Sequence, residues 1–297
     1  MSISKAEHIV VGVGFADKLK NYAALFKLKI TVFVVISAVF GYFIGATEFS
    51  VSAVLSLTVG GFFITSAANA FNQIIERNYD LLMDRTKNRP LPQNKLAVTE
   101  TLIIAFTLGI LGVLILGLFL NPLSGVLGLL AIFMYAAVYT PLKRISTFGV
   151  FVGAFPGAFP PMLGYVAATG SFGLEAGILF FIQFVWQFPH FWAIAWRLHK
   201  DYNKAGFKML PYNTKNRTSA IIILLSSLTL FASSFLPEFF GITGRIATIS
   251  LFILAFLMVI PSIRLVQTQD DKFALRIMLL SYLYLIFSLF FILIDKV

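Results

Sequence analysis

Nine stretches of about 20 apolar residues, separated by polar links, constrain this chain more than any other feature. They fall at 30–47, 51–72, 98–120, 122–141, 147–168, 174–196, 218–236, 244–265 and 273–294. Each is long enough to cross the hydrocarbon core of a bilayer. In an open chain only helices can satisfy every backbone N–H and C=O in lipid. The predicted fold class is therefore all-α: a polytopic bundle of nine transmembrane helices forming one integral membrane domain over residues 1–297, with 1–28 as an N-terminal segment before the first span. A content of 59% hydrophobic and 12% charged residues, with mean hydropathy +0.89, lies outside the range of soluble domains and agrees.

The charges set an orientation. If the N-terminus is cytoplasmic, all but Arg245 and Lys296 of the 23 Lys and Arg residues fall on the inner side. That bias predicts an N-terminus inside and a C-terminus outside, on the periplasmic side of a cell inner membrane. It also accounts for the net charge of +10 without a nucleic-acid partner, because the basic residues are scattered among the spans. Residues 1–28 carry both charge signs and contain neither a secretory apolar core with a cleavage site nor the acid-free, Arg-rich character of a transit peptide. A bacterial inner membrane is thus the expected location. The absence of cysteine excludes disulfides, thiolate nucleophiles and Cys-ligated metals.

The chemistry is concentrated in NQIIERNYDLLMDRTKNRPLP, residues 72–92. On a helix each four-residue step turns only about 40° past a full turn, so Asn72, Glu76 and Asp80 share one side, while Asp84 begins to wrap away. A row of hard oxygen ligands at a hydrated mouth suits Mg²⁺, which reaches proteins through one or two carboxylates plus a substrate's phosphates. Arg85, Lys87 and Arg89 follow and supply donors for phosphate oxygens. Read alone, the row is equally the charged end of a juxtamembrane helix.

Two further inner segments add to it. Tyr139 and Lys143, with Arg144, close the fourth span; they offer an aromatic face and cations, or else form an ordinary interfacial anchor. The sixth span ends FVWQFPHFWAIAWRLHKDYNKAG and carries His190 within an apolar run, followed by Lys200 and Asp201. An ionisable group in a span usually faces the protein interior and marks a site; His190 is read as an iron ligand, a proton shuttle or a donor to substrate, against a satisfied interhelical bond. Gly149, Gly153 and Gly157 are spaced for close helix packing. Pro156, Pro160 and Pro161 are expected to kink the fifth span and widen a cavity. A metal row, a second loop with Asp201 and a cationic pair, all at one mouth of a lipid-embedded bundle, call for an amphipathic diphosphate such as an allylic isoprenyl diphosphate. The bases and Mg²⁺ would neutralise the leaving pyrophosphate, and an apolar chamber would shelter a carbocation from water.

These blocks, with YTPLKR at 139–144, GAFPGAFPPMLGY at 153–165 and WQFPHFWAIAWRLHKDY at 186–202, resemble the UbiA superfamily of intramembrane prenyltransferases, and within it the branch that farnesylates haem. The resemblance runs from about Lys27 to the C-terminus. It implies transfer of farnesyl from farnesyl diphosphate to a vinyl group of haem b with addition of water, Mg²⁺ as cofactor, and handover to haem-modifying or terminal-oxidase assembly proteins. It places metal and diphosphate on Asn72, Glu76 and Asp80, phosphate oxygens near Arg85, Lys87, Arg89, Lys143, Arg144 and Lys200, a second metal position at Asp201, and haem at His190. Two departures stand out: Glu76 replaces the usual aspartate, and Asp201 has no second acid within the next turn. Alternatives are a sibling enzyme acting on a quinone precursor, a chlorophyllide or another lipid, and a membrane transporter. The one-sided clustering of the charges weighs against transport.

Overall fold

The computed structural model describes residues 14–297, and everything below concerns those residues. They are helical almost throughout: α1 (Phe15–Leu25), α2 (Leu28–Gly45), α3 (Val51–Asp80), α4 (Val98–Phe119) and α5 (Pro122–Ile132) come first. A π-helical segment over Phe133–Tyr139 joins α5 to α6 (Thr140–Ile145), and α7 (Gly149–Thr169), α8 (Leu174–Arg197) and α9 (His199–Lys204) follow. The chain closes with α10 (Arg217–Ser233), α11 (Leu236–Phe239), α12 (Arg245–Thr268) and α13 (Asp271–Ile294). Nine of these stretches are long and apolar enough to cross a membrane, with α5 to α6 and α10 to α11 each acting as one span.

Local chemistry sets the boundaries. Ser50, Asn121, Asn216 and Asp270 accept from backbone N–H groups at the starts of α3, α5, α10 and α13, meeting donors that a helix N-terminus leaves free. The predicted spans agree to within a few residues except at α3, whose apolar run stops at residue 72 without stopping the helix. Instead α3 runs unbroken for 30 residues, about 45 Å at 1.5 Å per residue, against a hydrocarbon core of about 30 Å. Its charged last two turns stay helical because the side chains pack against bases from other segments.

Neighbouring helices close a ring: α4 on α3, α3 on α2, α2 on α7 and α13, α7 on α8, α8 on α10 and α13, and α12 between α10 and α13. Two apolar clusters fill it, one holding Trp186, Ile223, Met258 and Tyr284, the other Tyr42, Leu57, Leu116 and Phe159. The outer surface exposes large apolar side chains such as Phe106, Leu118, Ile246 and Phe256, as a lipid-facing surface should.

The glycines divide their labour differently from the predicted packing stripe. The backbones of α2 and α7 meet at Gly41 and Gly164, where any Cβ would overlap Pro161 or Ala38 main-chain atoms. Gly149 instead lies against the Leu142 and Lys143 main chain, and Gly153 and Gly157 make room for the Tyr139 ring and the Gln187 amide. The three prolines leave α7 helical from end to end, and Pro156 and Pro160 line an internal chamber.

Candidate active site

At the basic end of the bundle, α3 presents its polar face to three cations. Asn72, Glu76 and Asp80 are buried, at 1%, 4% and 0% exposure, so the row lies beneath bases rather than at an open hydrated mouth. Lys27 Nζ donates to Asn72 Oδ1 at 3.1 Å, and Asn72 Nδ2 donates to Thr140 Oγ1 at 3.1 Å. Lys143 forms an ion pair with Glu76. Arg89 reaches both oxygens of Asp80, at 3.0 and 2.8 Å.

Lys27 is placed by the chain around it. It takes a left-handed conformation, φ 50° and ψ 53°, at the corner between α1 and α2. Two α3 side chains hold that corner: Asn69 donates to Phe26 O, and Gln73 donates to Leu25 O at 2.7 Å. The spacing of polar residues on α3 thus grips the turn that delivers the lysine.

Three segments at this end of the bundle knit over the row. Both oxygens of Asp201 accept backbone N–H groups, from Asp84 at 2.7 Å and Arg85 at 3.2 Å. Asp84 pairs with Lys204 and Lys87; the hydrogen bond from Lys204, then that from Lys87, holds its carboxyl down, to about 2, while Lys204 is raised in return. Arg85 lies over the Tyr202 ring at 5.3 Å, and Arg144 over Tyr79 at 3.8 Å. The second loop is anchored on α6 by Lys208 N donating to Lys143 O at 2.7 Å. Lys87 and Lys200 are exposed.

The chamber lies next to the row and meets it at Asn69 and Tyr139, although Asn72, Glu76 and Asp80 do not line it. Tyr135 and Tyr139 of the π-helical segment, Asn69 and Thr65 of α3, Pro156 and Gly157 of α7, and Gln187 and Phe191 of α8 contribute to its mostly apolar lining. Lys143 Nζ stands 4.8 Å above the Tyr139 ring, so the predicted Tyr139–Lys143 pair forms despite Pro141.

His190 takes a different place. Its Nδ1 is 2.7 Å from Ser281 Oγ on α13, its ring stacks on Trp186 at 4.7 Å, and it is absent from the chamber lining, to which Gln187 and Phe191 of the same helix belong. The structure therefore brings together Asn72, Glu76, Asp80, Arg89, Tyr139 and Lys143, with Arg85, Arg144 and Asp201 in the covering layer. It leaves His190 on the α8–α13 seam. Sequence reasoning missed Lys27, Thr140 and Gln187. Thr140 sits inside the quoted YTPLKR block, whereas Lys27 looked like one more inner-side positive charge.

Donor chemistry suits a hard cation at the row. Asn72 Oδ1 and the two carboxylates are all oxygen ligands, and the Lys143 ammonium sits against buried Glu76 Oε1. Among the described residues, no three Asp, Glu or His side chains converge as a ready-made metal cage.

A nine-span bundle with a carboxylate row, its bases and an apolar chamber at one end is the architecture of an intramembrane prenyltransferase. The chain belongs to the UbiA prenyltransferase family, whose profile matches residues 34–292. Solved structures share the fold: one described as digeranylgeranylglyceryl phosphate synthase superposes with a TM-score of 0.76 at 22% identity over 94% of this chain and 98% of that one. A UbiA homologue from Archaeoglobus fulgidus bound to GPP and Mg²⁺ gives 0.66 at 15% identity over 92% and 99%. Closer in sequence are two proteins named protoheme IX farnesyltransferase. That of Flavobacterium psychrophilum is 45% identical over 89% of this chain and 90% of its own. That of Christiangramia forsetii is 43% identical over 95% of each.

Proposed function

We propose that this chain is a protohaem IX farnesyltransferase, moving farnesyl from farnesyl diphosphate onto a vinyl group of haem b with addition of water. The observation that carries the chemistry is the pairing of each member of the α3 row with its own base, Lys27, Lys143 or Arg89, beside an apolar chamber. The near full-length likeness to protoheme IX farnesyltransferases carries the choice of substrates.

In this reading the farnesyl tail lies in the chamber and its diphosphate meets the bases. Asn72, Glu76 and Asp80 would hold Mg²⁺, which as a Lewis acid would neutralise charge on the leaving pyrophosphate. Lys143 and Arg89 can turn from their carboxylates to phosphate oxygens, with Lys27, Arg85 and Arg144 adding positive potential. Tyr139 offers its ring face to the allylic cation once Lys143 turns to phosphate. Lys87 and Lys200, both exposed, would guide the incoming anion. Asp201 fixes the loop that carries Arg85 and would serve as a second metal position through lone pairs its two backbone bonds leave. His190, bonded through Nδ1 to Ser281 and lying outside the chamber lining, would act on the porphyrin only through the α8–α13 seam it holds. The basic end faces the cytoplasm of a bacterial inner membrane, and the product passes to haem-modifying or terminal-oxidase assembly proteins.

Pyrophosphate release from farnesyl diphosphate and haem b, measured with and without Mg²⁺ in detergent, tests the site. Release that needs both Mg²⁺ and Asp80 supports the reading. Equal release by the Asp80→Ala variant contradicts it.

A further inference from the structure

Gln187 is a buried polar side chain in an otherwise greasy wall, and the diphosphate end of the site has no use for it. It lies on α8, across the chamber from α3, at 2% exposure. Both of its amide hydrogens have acceptors: Nε2 donates to Ala154 O at 2.8 Å and to Gln183 O at 3.3 Å. Two carbonyl acceptors fix the amide orientation, because a flipped group would set oxygen against oxygen. Oε1 is thereby a pure acceptor, and no donor among the described residues reaches it.

Two neighbours show that the position is built. Gly157 lines the chamber with Gln187, and a Cβ there would run into Oε1 first. Of the other polar groups of the lining, Thr65 bonds to Gly61 O at 2.8 Å and Asn69 holds the Lys27 corner, while Tyr135 and Tyr139 belong to the π-helical segment. A carbonyl oxygen kept free in an apolar wall carries a desolvation cost unless something donates to it. Water is the smallest donor that can.

We propose that Gln187 Oε1 seats the water that is added during the reaction, an inference that rests on the farnesyltransferase reading above. The bond from farnesyl C1 to the diphosphate oxygen breaks, and its electron pair leaves with the diphosphate. The vinyl π electrons form the new C–C bond, and the positive charge moves to the inner vinyl carbon, where the porphyrin ring delocalises it. The oxygen of the seated water bonds to that carbon and its surplus proton passes to the departing diphosphate. With no water in place the same cation loses a proton from the adjoining carbon, giving an alkene lighter by one water. Gln187 accepts a hydrogen bond from the water and takes no proton, so a neutral amide suffices.

The experiment is mass spectrometry of the porphyrin products of wild type, Gln187→Met and Gln187→Glu in heavy-oxygen water. The expected result for Gln187→Met is continued farnesylation with the ratio of hydroxylated to dehydrated product down by roughly tenfold, the factor one ordinary hydrogen bond supplies. Gln187→Glu, in its neutral acid form with the hydroxyl donating to Ala154 O in place of the amide, keeps a carbonyl acceptor and should return the ratio towards that of wild type. Gly157→Ala, which displaces the amide without removing it, should shift the ratio in the same direction as Gln187→Met. An unchanged ratio in Gln187→Met overturns the assignment. So does a parallel fall of both products in the Met and Glu variants, which marks a packing role only. A wild type that makes no farnesylated porphyrin at all defeats the underlying reading instead.

Discussion

Removing Arg89 should expose how tightly the carboxylate row depends on its bases. Asp80 is fully buried and takes both of its polar contacts from one guanidinium, which is itself 22% exposed. Arg89→Ala leaves that carboxylate without a counter-charge. Breaking a buried pair from one side costs about 3–5 kcal/mol, and the partial exposure of Arg89 places this case near the lower figure. A loss of about 3 kcal/mol is a large share of the roughly 5–15 kcal/mol that holds typical domains together. The second variant, Asp80→Asn with Arg89→Ala, removes the orphaned charge, so stability should return while turnover stays lost. Thermal unfolding in detergent reads the first quantity and pyrophosphate release the second. If Arg89→Ala melts with wild type, or if the double variant recovers nothing, the pair is not the buried unit described here.

Other consequences can be checked with the same protein. Lys143→Met should lower kcat by about 10²–10³, the usual effect of deleting one group that stabilises developing negative charge, as steady-state kinetics will show. Asp201→Ala removes the acceptor for two backbone N–H groups, so hydrogen–deuterium exchange at Asp84 and Arg85 should quicken while the α3 amides stay protected. The Asp84–Lys204 link between the two loops has a defined pH window. Asp84 is depressed from 3.8 to about 2, so its contribution is complete above about 3.8 and fades as pH falls towards 2. Lys204 is raised above 10.5, so its share fades only above that value. Loop exchange protection should therefore be flat from about pH 6.5 to 10, since His199 of α9, held below 6.5 by burial and then by Lys215, titrates beneath that window; a transition near pH 8 would point to another group.

The spans were legible because lipid leaves so few choices: a run of apolar residues of bilayer length must be a helix. The α3 row was legible for the same reason, since helical periodicity alone aligns Asn72, Glu76 and Asp80. What the pattern did not reveal was the tertiary choice of partner. Nothing local distinguishes Lys27, which reaches Asn72 across 45 residues of sequence, from Lys29, which is exposed. Burial of the row was also invisible, because charges near a span end read as solvated until the bases that cover them are located. His190 shows the opposite limit. An imidazole in a span reads as a site residue, yet its hydrogen bond runs to Ser281, on a helix whose sequence carries no sign of the pairing. Gly149, Gly153 and Gly157 likewise have the spacing of a helix-packing stripe, but the α2–α7 crossing uses Gly41 and Gly164.

The central claim is that the α3 row and its bases ionise farnesyl diphosphate for transfer to haem b. The most direct measurement is mass spectrometry of porphyrins after incubating the purified protein with haem b, farnesyl diphosphate and Mg²⁺, beside an Asp80→Ala control shown to be folded. The expected product has the mass of haem b plus farnesyl and a hydroxyl, and is absent from the control. Unmodified haem b in both reactions, from a protein that binds farnesyl diphosphate, would contradict it and move the acceptor to another lipid.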